Sequence, residues 1–461
     1  MINRQAIEQR VREWGLREDV VEKDYVLGWV LWGIGQHPTL SVSWAFKGGT
    51  SLKKCYLETY RFSEDLDFTV LPGGPIRQDD LEPIFRELLQ QIADASGINF
   101  SGRPPLFKTH SSGHYTEGRL YYQGPRNAPQ VASIRLDLSA SERIVRPTVL
   151  RSITHAFPDV LPEPRTIRCY SFEEVFAEKL RAMGERSRPR DLYDIVNLYR
   201  RSDLRSQPQL IRTVLQEKCE SKGVPLPTAV TIMLDDLREQ TKAEWSNMLA
   251  HQLQALPPFE HFWEELPALF NWLDGTSPIT GLAALPLGAD EESAEQWSPP
   301  PTVWTWGAGV PLETIRFAAA NYLCVTLGYQ NTKRVIEPYS LRRTRDGHLI
   351  LHAVKVDSRE PRSYRVDRIE SVEVTTRPFK PVFLVEFSGS GPIAAPATTT
   401  TTAGRSRRAT RHGGSYRLYI IECSYCGKKF RRTTPGTSLK PHKDKSGYAC
   451  SGRAGYLVDT Q

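Results

Sequence analysis

Between Trp44 and Val70 the chain runs through a short apolar segment, a glycine pair and an alternating acidic run, and this succession restricts the local fold more than any other feature. Trp44-Ala45-Phe46 reads as a strand that enters Lys47-Gly48-Gly49-Thr50-Ser51, after which Leu52 to Tyr60 has helical character. Glycine lets a backbone approach a ligand closely, and the amides at the start of a following helix point at anions, so the turn suits a triphosphate. In Arg61-Phe62-Ser63-Glu64-Asp65-Leu66-Asp67-Phe68, residues two apart share a strand face. Asp65 and Asp67 therefore point one way while Leu66 and Phe68 enter the core. Adjacent carboxylates repel unless a cation lies between them, and their oxygens are the ligands Mg²⁺ and Mn²⁺ prefer. Ser133 to Ser139 alternates as cleanly, with Ile134, Leu136 and Leu138 on one side and Asp137 on the other, so Asp137 can join the pair from a neighbouring strand. Three carboxylates are what two-metal phosphoryl chemistry uses. Plainer readings of each part are a simple turn, a surface acidic pair matched by basic side chains, and an exposed aspartate on an amphipathic strand.

Two helical patterns add cations. Ser171-Phe172-Glu173-Glu174 is a capping-box signature, and the helix behind it carries Phe172, Val175, Phe176, Leu180 and Met183 on one stripe. Lys179 falls inside that stripe, where a buried ammonium needs a phosphate or a site carboxylate unless it snorkels to the edge. After the basic loop Arg186-Ser187-Arg188-Pro189-Arg190, the segment Asp191 to Tyr199 has Leu192, Ile195, Val196 and Tyr199 as its core face. Asp191 and Asp194 stay on its flank, where helix capping or an arginine pair is the alternative to a catalytic role.

The chain of 461 residues calls for two to four units of ordinary size. The apolar run Tyr25–Ile34 is too short to span a bilayer and has no basic leader or cleavage site before it, so a soluble cytoplasmic protein with no membrane association is expected. The net charge of +7 is unevenly placed: Thr401 to Gln461 holds 13 Lys and Arg against 3 Asp and Glu, leaving the first 400 residues at −3. A positive field of that kind attracts nucleic acid, although a solvated tail without a partner is the blander reading. Pro286 to Pro301 reads as a linker, and Ser388 to Gly414, with its threonine run and Arg405-Ser406-Arg407-Arg408, as disordered. The expected domains are thus 1–285, 303–388, a linker at 389–414, and 415–461.

Glu22-Lys23-Asp24-Tyr25, Lys47-Gly48-Gly49-Thr50-Ser51-Leu52, Arg61-x-Ser63-Glu64-Asp65-Leu66-Asp67-Phe68, Glu178-Lys179-Leu180-Arg181-Ala182 and Arg190-Asp191-Leu192-Tyr193-Asp194 follow one another in an order that resembles the AbiEii/AbiGii-type toxin nucleotidyltransferases, a branch of the polymerase-β-like superfamily. The resemblance covers roughly residues 15 to 265 and implies an α/β (α+β) nucleotidyltransferase core with a helical bundle extension. It implies Mg²⁺ or Mn²⁺ on Asp65 and Asp67, with Asp137 added from the superfamily pattern, and Lys179, Asp191 and Asp194 as further catalytic residues. Nucleotide binding would fall to Lys47, Gly48, Gly49, Thr50, Ser51, Ser63, Lys179 and Arg190. It further implies an NTP substrate, an RNA acceptor such as tRNA, and a toxin–antitoxin or phage-defence setting with an antitoxin protein.

Leu312 to Leu323 reads as a helix, followed by short runs at Val325–Tyr329, Val335–Tyr339, Leu349–Val356, Tyr364–Val366 and Val372–Thr375 that argue a small β-barrel or sandwich. The segments Tyr329 to Tyr339 and Arg362 to Ile369 resemble a WYL domain, a small SH3-like β-fold, with Leu349-Ile350-Leu351 where the naming Trp-Tyr-Leu would fall. Arg334, Tyr339, His352, Arg365 and Arg368 would line a site for an anionic or nucleic-acid ligand, or else be ordinary strand-surface residues. In the tail, Cys423, Cys426, His442 and Cys450 follow C-x2-C-x15-H-x7-C, a set of soft ligands suited to structural Zn²⁺. Lys428, Lys429, Arg431 and Arg432 around it favour nucleic-acid contact, RNA or DNA. The leading function is nucleotidyl transfer to RNA. The alternatives are a nucleic-acid-binding regulator or sensor whose transferase fold binds nucleotide without turnover, and an enzyme that modifies a protein.

Overall fold

The alternating run at Asp65–Val70 becomes the central strand of a seven-stranded mixed sheet. In chain order its strands are β1 Trp44–Lys47, β2 Asp65–Val70, β3 Leu106–Thr109, β4 Tyr115–Tyr122, β5 Ala132–Ser139, β6 Val149–Ser152 and β7 Thr166–Cys169. The computed structural model describes residues 1–57, 60–201, 207–276, 282–285, 295–296, 312–343 and 349–386, and in the tail 419–423, 426, 428–432, 438–444, 449–450 and 455–460. The strand order is β3-β4-β5-β2-β1-β7-β6. β2 runs antiparallel to β1, with Lys47 opposite Asp67, and parallel to β5, with Asp67 opposite Asp137. Period-two alternation then sorts the faces: Leu66, Phe68, Leu136 and Leu138 are fully buried, whereas Asp65, Asp67 and Asp137 line up on the other side.

The apolar run at Tyr25–Ile34 is the middle of the helix Glu18–Gln36, a core element. Its first turns are fastened by four consecutive side chains. Glu22 accepts from the Arg126 backbone and guanidinium, Lys23 pairs with Glu64, Asp24 with the buried Lys54, and the Tyr25 hydroxyl donates to Asp159. The helix that follows the glycine turn is shorter than expected: Gly48–Ser51 continues as a π-helical turn, Leu52–Tyr56. On the C-terminal side of the sheet, helices Phe172–Arg186, Pro189–Arg200, Pro208–Lys222 and Asp235–Leu249 form the helical extension. Ser171 caps the first of these by accepting from the Glu174 amide at 3.2 Å. The reciprocal half of the capping box is missing, because the Glu174 carboxylate is spent on the amides of Val145 and Arg146 and on the Lys218 ammonium.

Residues 1–394 form one compact unit and 395–461 a second. Within the first, the helix Leu312–Ala320 is followed by antiparallel strands in the spatial order Pro361–Arg365, Leu349–Lys355, Thr332–Arg343, Leu323–Tyr329 and Ile369–Pro378. These strands form one continuous sheet, the small β-domain expected, and its apolar residues are continuous with the core of the larger sheet. Glu295–Gln296, inside the expected linker, pairs with Arg342 and Arg343; the other expected linker, 389–414, lies outside the described residues. In the second unit, Tyr419–Cys423 pairs with both Lys429–Arg432 and Gly455–Thr460, and His442–Lys443 pairs with Ala449–Cys450. No described helix is long and apolar enough to cross a membrane.

Candidate active site and metal centre

Where β1 ends, the chain must turn across the carboxylate face of β2, and only glycine fits. Gly48 has φ +77°, and a Cβ there would lie 2.2 Å from Asp67 Oδ2; a Cβ on Gly49 would lie 2.6 Å from the Arg61 guanidinium. The turn opens a cavity of about 500 Å³, within the usual range for small-molecule sites. Lys47, Gly48, Gly49, Ser63, Asp65, Asp67, Lys179, Arg190 and Asp191, all anticipated from sequence, line it. Thr50 and Ser51 do not: both are buried, and their hydroxyls donate to the backbone carbonyls of Asp65 and Gly48. They shape the turn and are not free to contact a nucleotide.

Burial pushes Asp67 up to about 6, against the opposing pull of Lys47 and with help from the charges of Asp137 and Asp65. Asp65 is raised by burial and by Asp137. This acidic face is under-compensated, which is the condition a divalent cation relieves. Asp137 adds to the field from β5, but one of its oxygens accepts from Tyr115 at 3.0 Å and from Arg135 at 3.1 Å, and it is not part of the cavity wall. The three aspartates share one face of adjacent strands, and Asp65 and Asp67 are the two that line the cavity and could hold a divalent cation.

Lys179 has the anionic partner its position demands. Its ammonium is 2.7 Å from Asp194 and 3.8 Å from Asp191. Asp194 also takes a bidentate pair from Arg61, at 2.7 and 2.8 Å, and the Tyr60 hydroxyl at 2.5 Å. Against the upward push of burial, Arg61 and Lys179 hold the Asp194 carboxyl well below the usual carboxylate range. Asp191 is likewise fully buried and accepts from Nε and Nη2 of Arg186. Asp191 and Asp194 thus aim and tether cations, with Asp194 behind the wall. Sequence reasoning passed over Glu142, and it quoted Glu178, Arg181, Arg186, Arg188 and Arg61 in motifs or a basic loop without giving them a place at the site; all of them line the cavity. Glu142 pairs with Lys47 and receives the Tyr170 hydroxyl; Glu178 pairs with Lys218 and Arg181. Burial and the charge of Arg61 both depress Arg190, as for a cation without enough anionic company.

The smaller sheet changes one expectation. Tyr339 and His352 are buried, the first bonded to Glu337 and the second to Ser363, so neither can meet a ligand at the surface. Both faces of those strands are covered, which strand alternation alone does not reveal. Arg334 lies over the rings of Tyr329 and Tyr364, Arg365 pairs with Asp367, and Arg368 is exposed.

In the second unit the ligand atoms of Cys423, Cys426, His442 and Cys450 lie within 4.8 Å of one another. Cys423 and Cys450 sulfurs are 3.8 Å apart, and Cys426 Sγ is 3.4 Å from His442 Nε2. Tetrahedral zinc with Zn–S near 2.3 Å and Zn–N near 2.0–2.1 Å requires separations of about 3.8 and 3.6 Å. The set fits. His442 Nδ1 meets the Lys440 carbonyl at 3.0 Å, the second contact that directs Nε2 inward. Beside it, Lys429 and Arg431 are exposed, while Lys428 reaches the Lys443 carbonyl. The Arg432 side chain lies outside the described residues.

Residues 29–268 match the family described as nucleotidyl transferase AbiEii toxin, Type IV TA system, and residues 311–374 match the WYL domain. Among solved structures, MenT4, a nucleotidyltransferase toxin from Mycobacterium tuberculosis H37Rv, is 20% identical over 63% of this chain and 92% of its own, with a TM-score of 0.40. Proteasome accessory factor B/C (PafBC) of Arthrobacter aurescens is 15% identical over 62% of this chain and 41% of its own, with a TM-score of 0.15. No curated protein matches.

Proposed function

Because this chain belongs to the nucleotidyl transferase AbiEii toxin family, we propose that its cavity transfers a nucleotidyl group from a nucleoside triphosphate to an RNA acceptor, with tRNA the leading candidate. The observation that carries the reading is that Asp65 and Asp67 line one cavity together with the cations Lys47, Lys179, Arg181, Arg186, Arg188 and Arg190. Mg²⁺ or Mn²⁺, held by Asp65 and Asp67 with Asp137 as the third carboxylate, would polarise the reacting phosphate and acidify the attacking hydroxyl. The chain's own groups do the rest. Gly48 and Gly49 admit the phosphates to the backbone, Lys179 and Arg190 neutralise them, and Asp191 and Asp194 hold their cationic partners at the correct reach.

The basic second unit supports RNA over protein as acceptor, since Lys429 and Arg431 stand beside a four-ligand cluster able to hold zinc, and such cations attract a polyanion. The family description supports a toxin role with an antitoxin partner, and phage defence in the cytoplasm is the setting we assign.

The test is to incubate the full chain with each labelled NTP, Mg²⁺ or Mn²⁺ and total RNA, alongside Asp67→Asn. Label in RNA with wild type alone is the expected result; label in neither RNA nor protein under any condition removes the reading, and label in protein alone transfers it to another acceptor. For the second unit, elemental analysis of the purified chain is expected to find about one equivalent of zinc, falling several-fold in Cys426→Ser. Equal zinc in both proteins would exclude the site.

A further inference from the structure

The WYL match begins at Leu312's neighbour, residue 311, yet its first helix is wired directly to the transferase helix that carries Asp191 and Asp194. Tyr193, beside Asp194 in sequence, is 1% exposed, and its hydroxyl donates to Asn321 Oδ1 at 2.8 Å. Asn321, also 1% exposed, donates through Nδ2 to the Phe317 carbonyl at 2.9 Å, which turns its oxygen toward the tyrosine. On its other sides the Tyr193 ring stacks on Phe262 at 5.1 Å and meets Tyr60 at 5.6 Å. Tyr60 is the residue whose hydroxyl bonds Asp194. A second tie lies at the far end of the same helix. The Arg200 guanidinium lies 4.5 Å from the Phe262 ring and 4.2 Å from the Tyr322 ring, pairs with Glu265, and donates to the Ala320 carbonyl. Tyr322 reaches it from a left-handed backbone, φ +52°, a conformation uncommon outside glycine.

We infer that Asn321 is a positioning residue for nucleotidyl transfer: the WYL domain, through Asn321 and Tyr193, fixes the helix Pro189–Arg200 and with it Asp194, which from behind the wall holds Lys179 in the cavity. The inference rests on the transferase reading above. Asn321 touches no reacting atom; it acts through Tyr193. Removing its oxygen frees the helix to shift against Tyr60 and Arg61, and a displacement near 1 Å at a phosphate-binding group lowers turnover by up to about 100-fold.

The test uses the full chain and compares wild type, Tyr193→Phe, Asn321→Leu and the double variant. Steady-state transfer of labelled NTP to total RNA is measured together with melting temperature and amide hydrogen exchange. We expect kcat to fall roughly tenfold in either single variant with KM unchanged and the melting temperature lowered by only a few degrees, and the double variant to be no worse than the singles. Exchange should accelerate over residues 189–200 while the amides of β1 and β2 keep their protection. Unchanged kcat, strictly multiplicative losses in the double variant, or exchange raised evenly across the chain would each overturn the inference. If wild type transfers no label to RNA or protein, the transferase reading fails and the exchange comparison decides alone: local acceleration over 189–200 sustains the coupling, and its absence removes it.

Discussion

Asp67→Asn is expected to abolish transfer and at the same time to stabilise the metal-free protein at pH 8. The loss of activity should exceed the roughly 10–100-fold cost of removing an outer-shell partner of a metal, since Asp67 faces the cavity directly. The gain in stability comes from the same carboxylate. Its folded pKa is raised from 3.8 to about 6, so the folded state binds the proton more tightly than the unfolded chain does. Stability therefore falls as pH rises from about 4 to about 6 and stays lower above that window, by on the order of 3 kcal/mol for a shift of this size. Asparagine is nearly the same shape and carries no charge, so it fits against Gly48 and removes that penalty. Urea unfolding in the presence of a chelator should show the variant more stable at pH 8, with the difference fading toward pH 4. Saturating Mg²⁺ or Mn²⁺ should narrow the gap by stabilising wild type alone. Equal stability at both pH values would mean that the acidic face is already compensated.

Asp194→Ala should produce the largest loss of stability of any single change at the site. It strips a fully buried acceptor from Arg61, Lys179 and Tyr60 together. Removing one partner of a buried pair leaves an uncompensated charge and costs about 3–5 kcal/mol. Here the folded pKa is depressed, so the contribution is present above the ordinary carboxyl range and is lost as pH falls below about 4. The difference between wild type and variant in the urea midpoint should accordingly be full at pH 7 and shrink in acid. Asp137→Ala, whose carboxylate is partly exposed and bonded to Tyr115 and to an exposed arginine, serves as the contrast and should change the midpoint little. A small effect at Asp194 would show that the chain relaxes to bring water to Arg61.

What could be read in the sequence was what local periodicity encodes. The strand alternation at Asp65–Val70 and Ser133–Ser139 placed three aspartates on one face, and the parallel register then brought Asp67 beside Asp137. Lys179 was recognisable because it interrupts an apolar stripe. Its partner was another matter: Asp194 is claimed by Arg61 across 133 residues, a closure no local pattern records. Glu142 carries no spacing signal at all and is found only where the loop after β5 brings it to Lys47. Thr50 and Ser51 were ascribed to the nucleotide through the family resemblance of the glycine turn, but their hydroxyls are taken by the carbonyls of Asp65 and Gly48. Tyr339 and His352 misled for a related reason: alternation distinguishes two faces of a strand, but not whether the second face is covered.

The four side chains that fasten the first turns of Glu18–Gln36 reach Arg126, Glu64, Lys54 and Asp159. On a ribosome, that helix emerges early and waits. Its last tether is made some 130 residues later, and Asp194 follows later still. Long closures of this kind fold slowly: a nascent chain that ends before Asp159 lacks the last tether of the Glu18–Gln36 helix, and one that ends before Asp194 lacks the anchor of Lys179.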